Sequence, residues 1–343
     1  MRRTPMWTQR FSTLIAAAAA LACAHGAATS NTQAYRAPVV RMTNIAPGVA
    51  LETLDWGGTG PPLVFLAGLG NTAHVFDDFA PRFTDRFHVI GITRRGFGAS
   101  SGALPANDLD TLVADVLGAI DSLGLGRIVL VGHSIAGEEI TRFAEVDSAR
   151  CAGLVYLDAA YDRSDVATIA QSQPQTPPPN VSAADFVSLA SVRAFHEDVV
   201  GVREPESEIR ATTRFDSHDR YLGDVTPDSL EARVTSGARV ARYDRSHCPA
   251  LGIFAGADSI ADVVPYFTEL DSTGRAKGEA LTRFVASYVA ESRARFLRFP
   301  QNEAVVIPGN HFIFLQRPRE VEEAMRAFLF SDRRSGPIRS ARF

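Results

Sequence analysis

The sequence predicts an α/β fold built on a mostly parallel, doubly wound sheet, and two features of the chain indicate it. Short apolar runs of strand length alternate with longer segments whose apolar residues recur at helical spacing. Most runs end in a glycine-rich or polar turn, as expected at the carboxyl edge of a parallel sheet. The runs interpreted as strands are Val39–Met42, Val49–Leu54, Leu63–Leu66, Val89–Ile92, Ile128–Val131, Leu154–Leu157, Leu251–Ala255 and Ala304–Ile307.

The composition is that of an ordinary globular protein. The 343 residues are 45% hydrophobic and 22% charged, with a net charge of −4. This length suits one large α/β domain with an insertion, or two domains. The mild acidity argues against a nucleic-acid partner, because such proteins show a basic face. His196, His218 and His247 do not fall at metal-ligand spacing, so the sequence predicts no metal site. The oligomeric state is left open.

The N-terminus has the pattern of a secretory signal peptide, predicted over residues 1–24. Three arginines lie within the first ten residues, and the alanine-rich run Phe11–Leu21 is too short to span a bilayer. Ala22–Ala24 forms a small-x-small cleavage site. The mature chain is therefore expected in the periplasm or outside the cell, without a stable membrane span. Lipid attachment at Cys23 is a minority alternative, since the preceding residues match a lipobox poorly.

Two cysteines, Cys151 and Cys248, remain after the predicted leader. Each lies at the start of a predicted strand. If the two strands are parallel neighbours, the Cα atoms would lie about 5 Å apart, within disulfide range. An even cysteine count in an oxidising compartment favours a disulfide. The alternative is a pair of separate buried thiols.

The composition changes after Tyr161, which suggests an insertion. Pro177–Pro179 interrupts the chain, and helical segments follow, the first of them with Ser182 as its expected cap. No apolar strand run returns before Leu251. We interpret the insertion as a mostly helical cap that shapes access to a site; an unrelated second domain is the alternative. The predicted division is a core of residues 36–161 and 246–331, a cap of 162–245 and a frayed tail of 332–343.

Gly132-His-Ser134-Ile-Ala136 stands between a predicted strand and a helix. A serine on so sharp a turn needs small residues two positions before and after it, and Gly132 and Ala136 meet that condition. The turn would raise the Ser134 hydroxyl above the sheet and direct the Ile135 N–H to hold an oxyanion. The glycine-rich turn after Leu66, which precedes a helix predicted over about residues 73–83, offers a second such donor in the N–H of Leu69. The pentapeptide alone can also occur by chance.

A serine hydroxyl is a poor nucleophile unless a base takes its proton and an acid orients that base. The chain supplies Ser134, Asp258 and His311 in that order, and the last two follow predicted strand ends. Asp158 also ends a strand and is the alternative acid. We favour Asp258.

Arg94 and Arg95 follow another predicted strand end. They leave two interpretations open, an anionic substrate or structural arginines that tie loops together, and we favour the second. His133, inside the serine turn, is expected to be a packing residue.

Taken together, these residues resemble the serine hydrolases of the α/β-hydrolase superfamily, in its capped, esterase- and lipase-like group. The resemblance departs at Ala67, where the family commonly has histidine, and at Thr93, where it commonly has aspartate. It implies the α/β-hydrolase fold, with the helical cap inserted after the sixth strand. The segments that carry it are Leu66–Gly70, Arg95–Ser100, Gly132–Ala136, Gly256–Asp258 and Gly309–Phe312.

The expected activity is hydrolysis of a small-molecule carboxylic ester through an acyl-enzyme, without a cofactor. Lactone hydrolysis, amide hydrolysis and perhydrolysis can use the same triad. A low-turnover ligand-binding protein of the same fold is the alternative from another class. A serine nucleophile disfavours epoxide hydrolase chemistry, which uses an aspartate in this fold.

Overall fold

The computed structural model describes residues 37–101, 108–164 and 166–331. The predicted signal peptide (1–24), the possible lipid site at Cys23 and the predicted tail (332–343) lie outside the described residues. No helix within those ranges is long and apolar enough to cross a membrane.

The strands of the described chain are β1 (Val39–Ala46), β2 (Val49–Gly57), β3 (Pro62–Leu66), β4 (His88–Ile92), β5 (Ile128–His133), β6 (Cys151–Leu157), β7 (Thr213–Phe215), β8 (Tyr221–Asp224), β9 (Ala250–Gly256) and β10 (Asn302–Pro308). Eight of them form the main sheet, in the order β1-β2-β4-β3-β5-β6-β9-β10. β1 pairs with β2 and β2 with β4 in antiparallel fashion, and all other neighbours in this sheet are parallel. The mostly parallel sheet is thus confirmed.

Local signals mark the start of two of the helices. The side chain of Asp108 caps α1 by accepting a hydrogen bond from the Thr111 N–H at 2.8 Å, and Pro318 begins α9. The α-helices are α1 (Leu109–Ser122), α2 (Ala136–Val146), α3 (Val166–Ser172), α4 (Leu189–Val200), α5 (Glu206–Thr212), α6 (Asp228–Ser236), α7 (Ser272–Phe296), α8 (Ile313–Gln316) and α9 (Pro318–Leu329).

The segment between β3 and β4 departs from the expected single helix over residues 73–83. It forms two 3₁₀ turns, Ala73–Phe76 and Ala80–Phe83. Pro81 explains the break, because proline has no N–H to donate and its ring collides with the carbonyl four residues earlier in a continuous helix.

The insertion lies between β6 and β9, after the sixth strand, and holds α3 to α6. It also contains the short antiparallel hairpin of β7 and β8, which the sequence did not predict because three- and four-residue strands leave no apolar run. Ser182 precedes only a 3₁₀ turn. The predicted helix begins instead at Ser188, whose hydroxyl caps α4 by accepting from the Ser191 N–H at 3.1 Å.

Apolar side chains cover both faces of the sheet. One face packs against α1, α2 and α7, where Phe143 and Phe296 are fully buried. The other packs against the 3₁₀ turns and α9, around Phe65 and Phe314. Burial on both faces explains why the parallel strands read as continuous apolar runs.

Cys151 and Cys248 form the predicted disulfide, with their Cα atoms 6.1 Å apart. The bond joins the first residue of β6 to the segment just before β9, its parallel neighbour. It therefore closes the loop that contains the entire insertion.

Replacing both cysteines with alanine is expected to lower the free energy of unfolding by about 3–5 kcal/mol. The two cysteines are 97 positions apart in the sequence, so the loop between them gains much conformational freedom in the unfolded chain when the bond is absent. Urea unfolding measures the change. The wild-type protein treated with a reductant is the control, and it should unfold close to the double variant. An unchanged unfolding midpoint for the double variant would contradict the prediction.

Candidate active site

Ser134 lies on the turn between β5 and α2, and its φ of 54° is in the left-handed region. Its N–H donates to the Leu157 carbonyl at 3.2 Å, which fastens the turn to β6. A side chain at position 132 would place its Cβ 2.9 Å from the Ala136 carbonyl oxygen, so the turn requires Gly132. The half-buried Ser134 therefore occupies the strained strand-to-helix turn that the sequence predicts.

His311 follows β10 and is oriented by Asp158. The Nδ1 atom of His311 lies 2.7 Å from Oδ2 of Asp158. The other carboxylate oxygen accepts hydrogen bonds from the Ala255 N–H at 3.0 Å and from the Tyr161 hydroxyl. Asp158 is only 2% exposed, and its hydrogen bonds with His311, Ala255 and Tyr161 hold the carboxylate in place. This fixes the imidazole ring and directs the Nδ1 proton toward the carboxylate.

Asp258, the acid that the sequence favoured, does not contact His311, and this choice is corrected. Its side chain is exposed, and its N–H donates to the Asp262 carboxylate at 3.1 Å. The reason is topological. β9 ends at Gly256, and the chain then enters the capped turn at Ser259, which carries Asp258 outward.

His133, which the sequence assigned to packing, is buried against aromatic rings, and it also makes one contact that the sequence did not predict. The His133 ring lies against that of His311 at a tilt of 41°, with centroids 4.6 Å apart, and its Nε2–H donates to the His311 backbone carbonyl at 3.0 Å. Burial, and then the charge of His311, hold the pKa of His133 well below its usual value. The neutral His133 side chain thus links the turn that carries Ser134 to the loop after β10 that carries His311.

One of the two predicted oxyanion donors, the Ile135 N–H, belongs to the residue that follows Ser134, and the other belongs to Leu69, in the loop that contains Gly68. Neither the Leu69 N–H nor the Ile135 N–H donates to an acceptor in the described chain. Gly68 brings its loop close, because a Cβ there would lie 3.2 Å from the Cβ of Ser134. The Ser134 hydroxyl and His311 are not hydrogen-bonded to each other here. Contacts of this kind are often long without substrate.

A buried carboxyl group from the insertion holds the segment that follows Leu69. Glu208, in α5, accepts hydrogen bonds from the Asn71 side chain at 2.9 Å and from the Thr72 N–H at 3.0 Å. The Thr72 hydroxyl also donates to it, at 2.5 Å. Burial, and then the neighbouring Glu204, raise the pKa of Glu208 to about 8. The periodicity of α5 gave no sign of this contact, since a helical glutamate is usually solvated.

This raised pKa predicts a dependence of stability on pH. A carboxyl that binds its proton more tightly when folded contributes stability below its ordinary pKa of 4.5, and the contribution is lost as the pH rises toward about 8. The variant Glu208→Gln, which resembles the protonated acid, should lose less stability than wild type between pH 5 and pH 8, by an amount on the order of a few kcal/mol. Urea unfolding at both pH values measures this. Equal losses in the two proteins would contradict the prediction, and Glu206→Gln, on the exposed side of α5, serves as the control.

No group of three or more metal-ligating side chains occurs among residues 37–101, 108–164 and 166–331.

The sheet order, the serine turn and the aspartate–histidine pair define the class of protein: a hydrolase built on the α/β sheet. The chain belongs to the α/β hydrolase family, whose model matches residues 63–324.

Individual relatives agree on the fold and differ in activity. The chain is 24% identical to epoxide hydrolase A of Mycobacterium tuberculosis, over 85% of this chain and 98% of that protein. It is 32% identical to a putative non-heme haloperoxidase of Mycobacterium phage D29, over 30% of this chain and 37% of the relative. The chain thus spans little more than a third of that relative's length. Among solved structures, an E-2-(acetamidomethylene)succinate hydrolase superposes with a TM-score of 0.60 at 18% identity, covering 86% of this chain and all of that one.

Proposed function

We propose that the protein is an exported serine hydrolase that cleaves a carboxylic ester through an acyl-enzyme. One observation carries the proposal: a buried carboxylate orients His311 from a distance of 2.7 Å, at the same sheet edge where Ser134 stands on its strained turn. A serine, a histidine and an acid in this order are the parts needed to activate a hydroxyl for attack on a carbonyl.

In the proposed mechanism, the Ser134 hydroxyl attacks the ester carbonyl while His311 accepts its proton. Asp158 holds the imidazole and stabilises its charged form. The N–H groups of Leu69 and Ile135 bind the oxyanion of the tetrahedral intermediate. His311 then donates the proton to the departing alcohol. Water, activated by the same histidine, hydrolyses the acyl-enzyme and frees Ser134.

The serine at the turn also distinguishes this proposal from the epoxide hydrolysis named for the Mycobacterium tuberculosis relative. Epoxide opening in this fold uses an aspartate nucleophile, and position 134 offers none. Lactone and amide hydrolysis would use the same groups as ester hydrolysis, so only substrates can distinguish them.

Export and the cap are parts of the same proposal. The predicted leader supports export, and the disulfide between Cys151 and Cys248 fits an oxidising compartment. The contact between Glu208 and Thr72 supports a cap role for residues 162–245, because it brings the insertion against the loop that carries a proposed oxyanion donor.

A fluorophosphonate probe and an ester panel test the function. The mature protein should be labelled, with the label mapped by mass spectrometry to Ser134, and it should hydrolyse p-nitrophenyl esters of some acyl length. A lactone, an anilide and styrene oxide, assayed in parallel, report on the other chemistries. Folded protein that neither reacts with the probe nor turns over any substrate would favour a ligand-binding protein instead.

A further inference from the structure

Arg94 follows β4 and bridges the two elements that carry the proposed oxyanion donors. Its side chain is 4% exposed. On one side it reaches the loop of Leu69, and on the other it reaches α2, which begins just after Ile135. The sequence left open whether this arginine binds an anionic substrate or ties loops together.

The first contact fixes the orientation of a peptide group. Nη1 of Arg94 donates to the Gly68 carbonyl at 3.1 Å, and Nη2 donates to the Ala67 carbonyl at 2.8 Å. The described peptide bonds are all trans, so the Gly68 carbonyl and the Leu69 N–H point in opposite directions across one rigid plane. Holding that carbonyl toward Arg94 therefore aims the Leu69 N–H away from Arg94.

The second contact of Arg94 holds α2, the helix that begins just after the other proposed donor, the Ile135 N–H. Nε and Nη2 of Arg94 donate to one oxygen of Glu139, at 2.9 and 2.5 Å. Glu139 lies in the first turn of α2, four residues after Ile135, and its side chain is 5% exposed. A buried ion pair thus links the helix behind Ser134 to the loop that faces it. All three guanidinium nitrogens donate to protein acceptors, which leaves this arginine poorly placed to bind a substrate anion.

On the basis of the serine hydrolase function proposed above, we propose that Arg94 is a positioning residue that sets the orientation and separation of the two oxyanion donors. It touches neither the substrate nor Ser134. The planar guanidinium group suits this task, because its nitrogens donate to the Glu139 carboxylate and to two backbone carbonyls at fixed angles. A lysine keeps the charge but offers a single nitrogen that cannot span them.

Arg95 provides a matched control one residue away. It is also buried, at 6% exposure, and it forms a two-pronged ion pair with Asp115 in α1. Neither member of that pair forms a hydrogen bond with residues 67–69 in the described chain. Replacing Arg95 with lysine therefore removes a comparable buried guanidinium–carboxylate pair and leaves the hydrogen bonds of residues 67–69 in place.

The experiment compares R94K and R95K with wild type by ester kinetics, by the affinity of an alkyl boronic acid and by hydrogen–deuterium exchange. The boronic acid forms a tetrahedral adduct on serine and so reports on the oxyanion site. For R94K we expect kcat to fall by about 10²-fold with KM within a few-fold of wild type, as for a misplaced oxyanion donor. Boronate affinity should fall by a similar factor, and exchange should rise in the peptide that covers residues 67–72. R95K should lie close to wild type in all three.

Equal losses of kcat in R94K and R95K would overturn the proposal. A lower kcat in R94K with unchanged boronate affinity and unchanged exchange would also overturn it. The exchange measurement does not depend on activity. If the wild-type protein neither turns over esters nor binds the boronate, the proposed function fails. Faster exchange at residues 67–72 in R94K alone would still support the positioning of this loop by Arg94, and unchanged exchange would refute it.

Discussion

Replacing Ser134 with alanine is expected to lower kcat for ester hydrolysis by about 10⁶-fold, the loss typical of removing a serine nucleophile. No acyl-enzyme can form without the hydroxyl, and Ser134 makes no hydrogen bond through that hydroxyl within the described chain, so little else should change. Initial rates on the best p-nitrophenyl ester of the panel measure the effect.

The Ser134→Ala variant should also resist the fluorophosphonate probe while unfolding in urea at nearly the same concentration as wild type. This control separates chemistry from folding. A variant that keeps more than a few per cent of wild-type turnover would show that another group is the nucleophile, and the proposed mechanism would fail.

Replacing Asp158 with asparagine is expected to lower kcat by about 10⁴-fold, as when an amide replaces the acid of a serine–histidine–aspartate triad. The carboxylate accepts a hydrogen bond from the Nδ1–H of His311 at 2.7 Å. An amide can instead present its NH₂ group to that nitrogen and favour the wrong tautomer. Kinetics across pH 5–9 measure the loss and show whether a higher pH restores activity.

Asp258→Asn is the matched control, because the sequence alone made Asp258 the preferred acid. Its side chain is exposed and lies in a turn away from His311, so this variant should stay within about twofold of wild type, as surface substitutions usually do. A large loss at Asp258 with a small loss at Asp158 would reverse the assignment.

The fold was predictable because its signals are local. The β1–β2 hairpin, the buried runs of β3 to β6 and the cap of α1 each depend on a few consecutive residues. The disulfide needed one further condition. Each cysteine stands at or just before the start of a strand, and the two sulfurs can meet only because those strands, β6 and β9, are parallel neighbours. The single helix expected over 73–83 was wrong because one proline outweighed a helical spacing of phenylalanines.

The candidate site divides in the same way. Gly132 and Ala136 mark the serine turn, because the requirement for small residues acts across five positions of the chain. The choice between Asp158 and Asp258 depends instead on which strand end faces His311. That is decided by the order of β6, β9 and β10 and by a turn that leads one carboxylate into solvent.

The sequence by itself determined the class of fold and the strand-to-helix turn at Ser134, since each is written in short-range patterns of size and polarity. It predicted the pairing of Cys151 with Cys248 only on the condition that their strands are neighbours, and the tertiary structure met that condition. Only the tertiary structure decided that Asp158 orients His311, that His133 fastens the histidine loop, and that Arg94 and Glu208 hold the loop of Leu69. These contacts join residues far apart in the chain, and hydrogen bonds of that kind depend on directions and distances that no local pattern encodes.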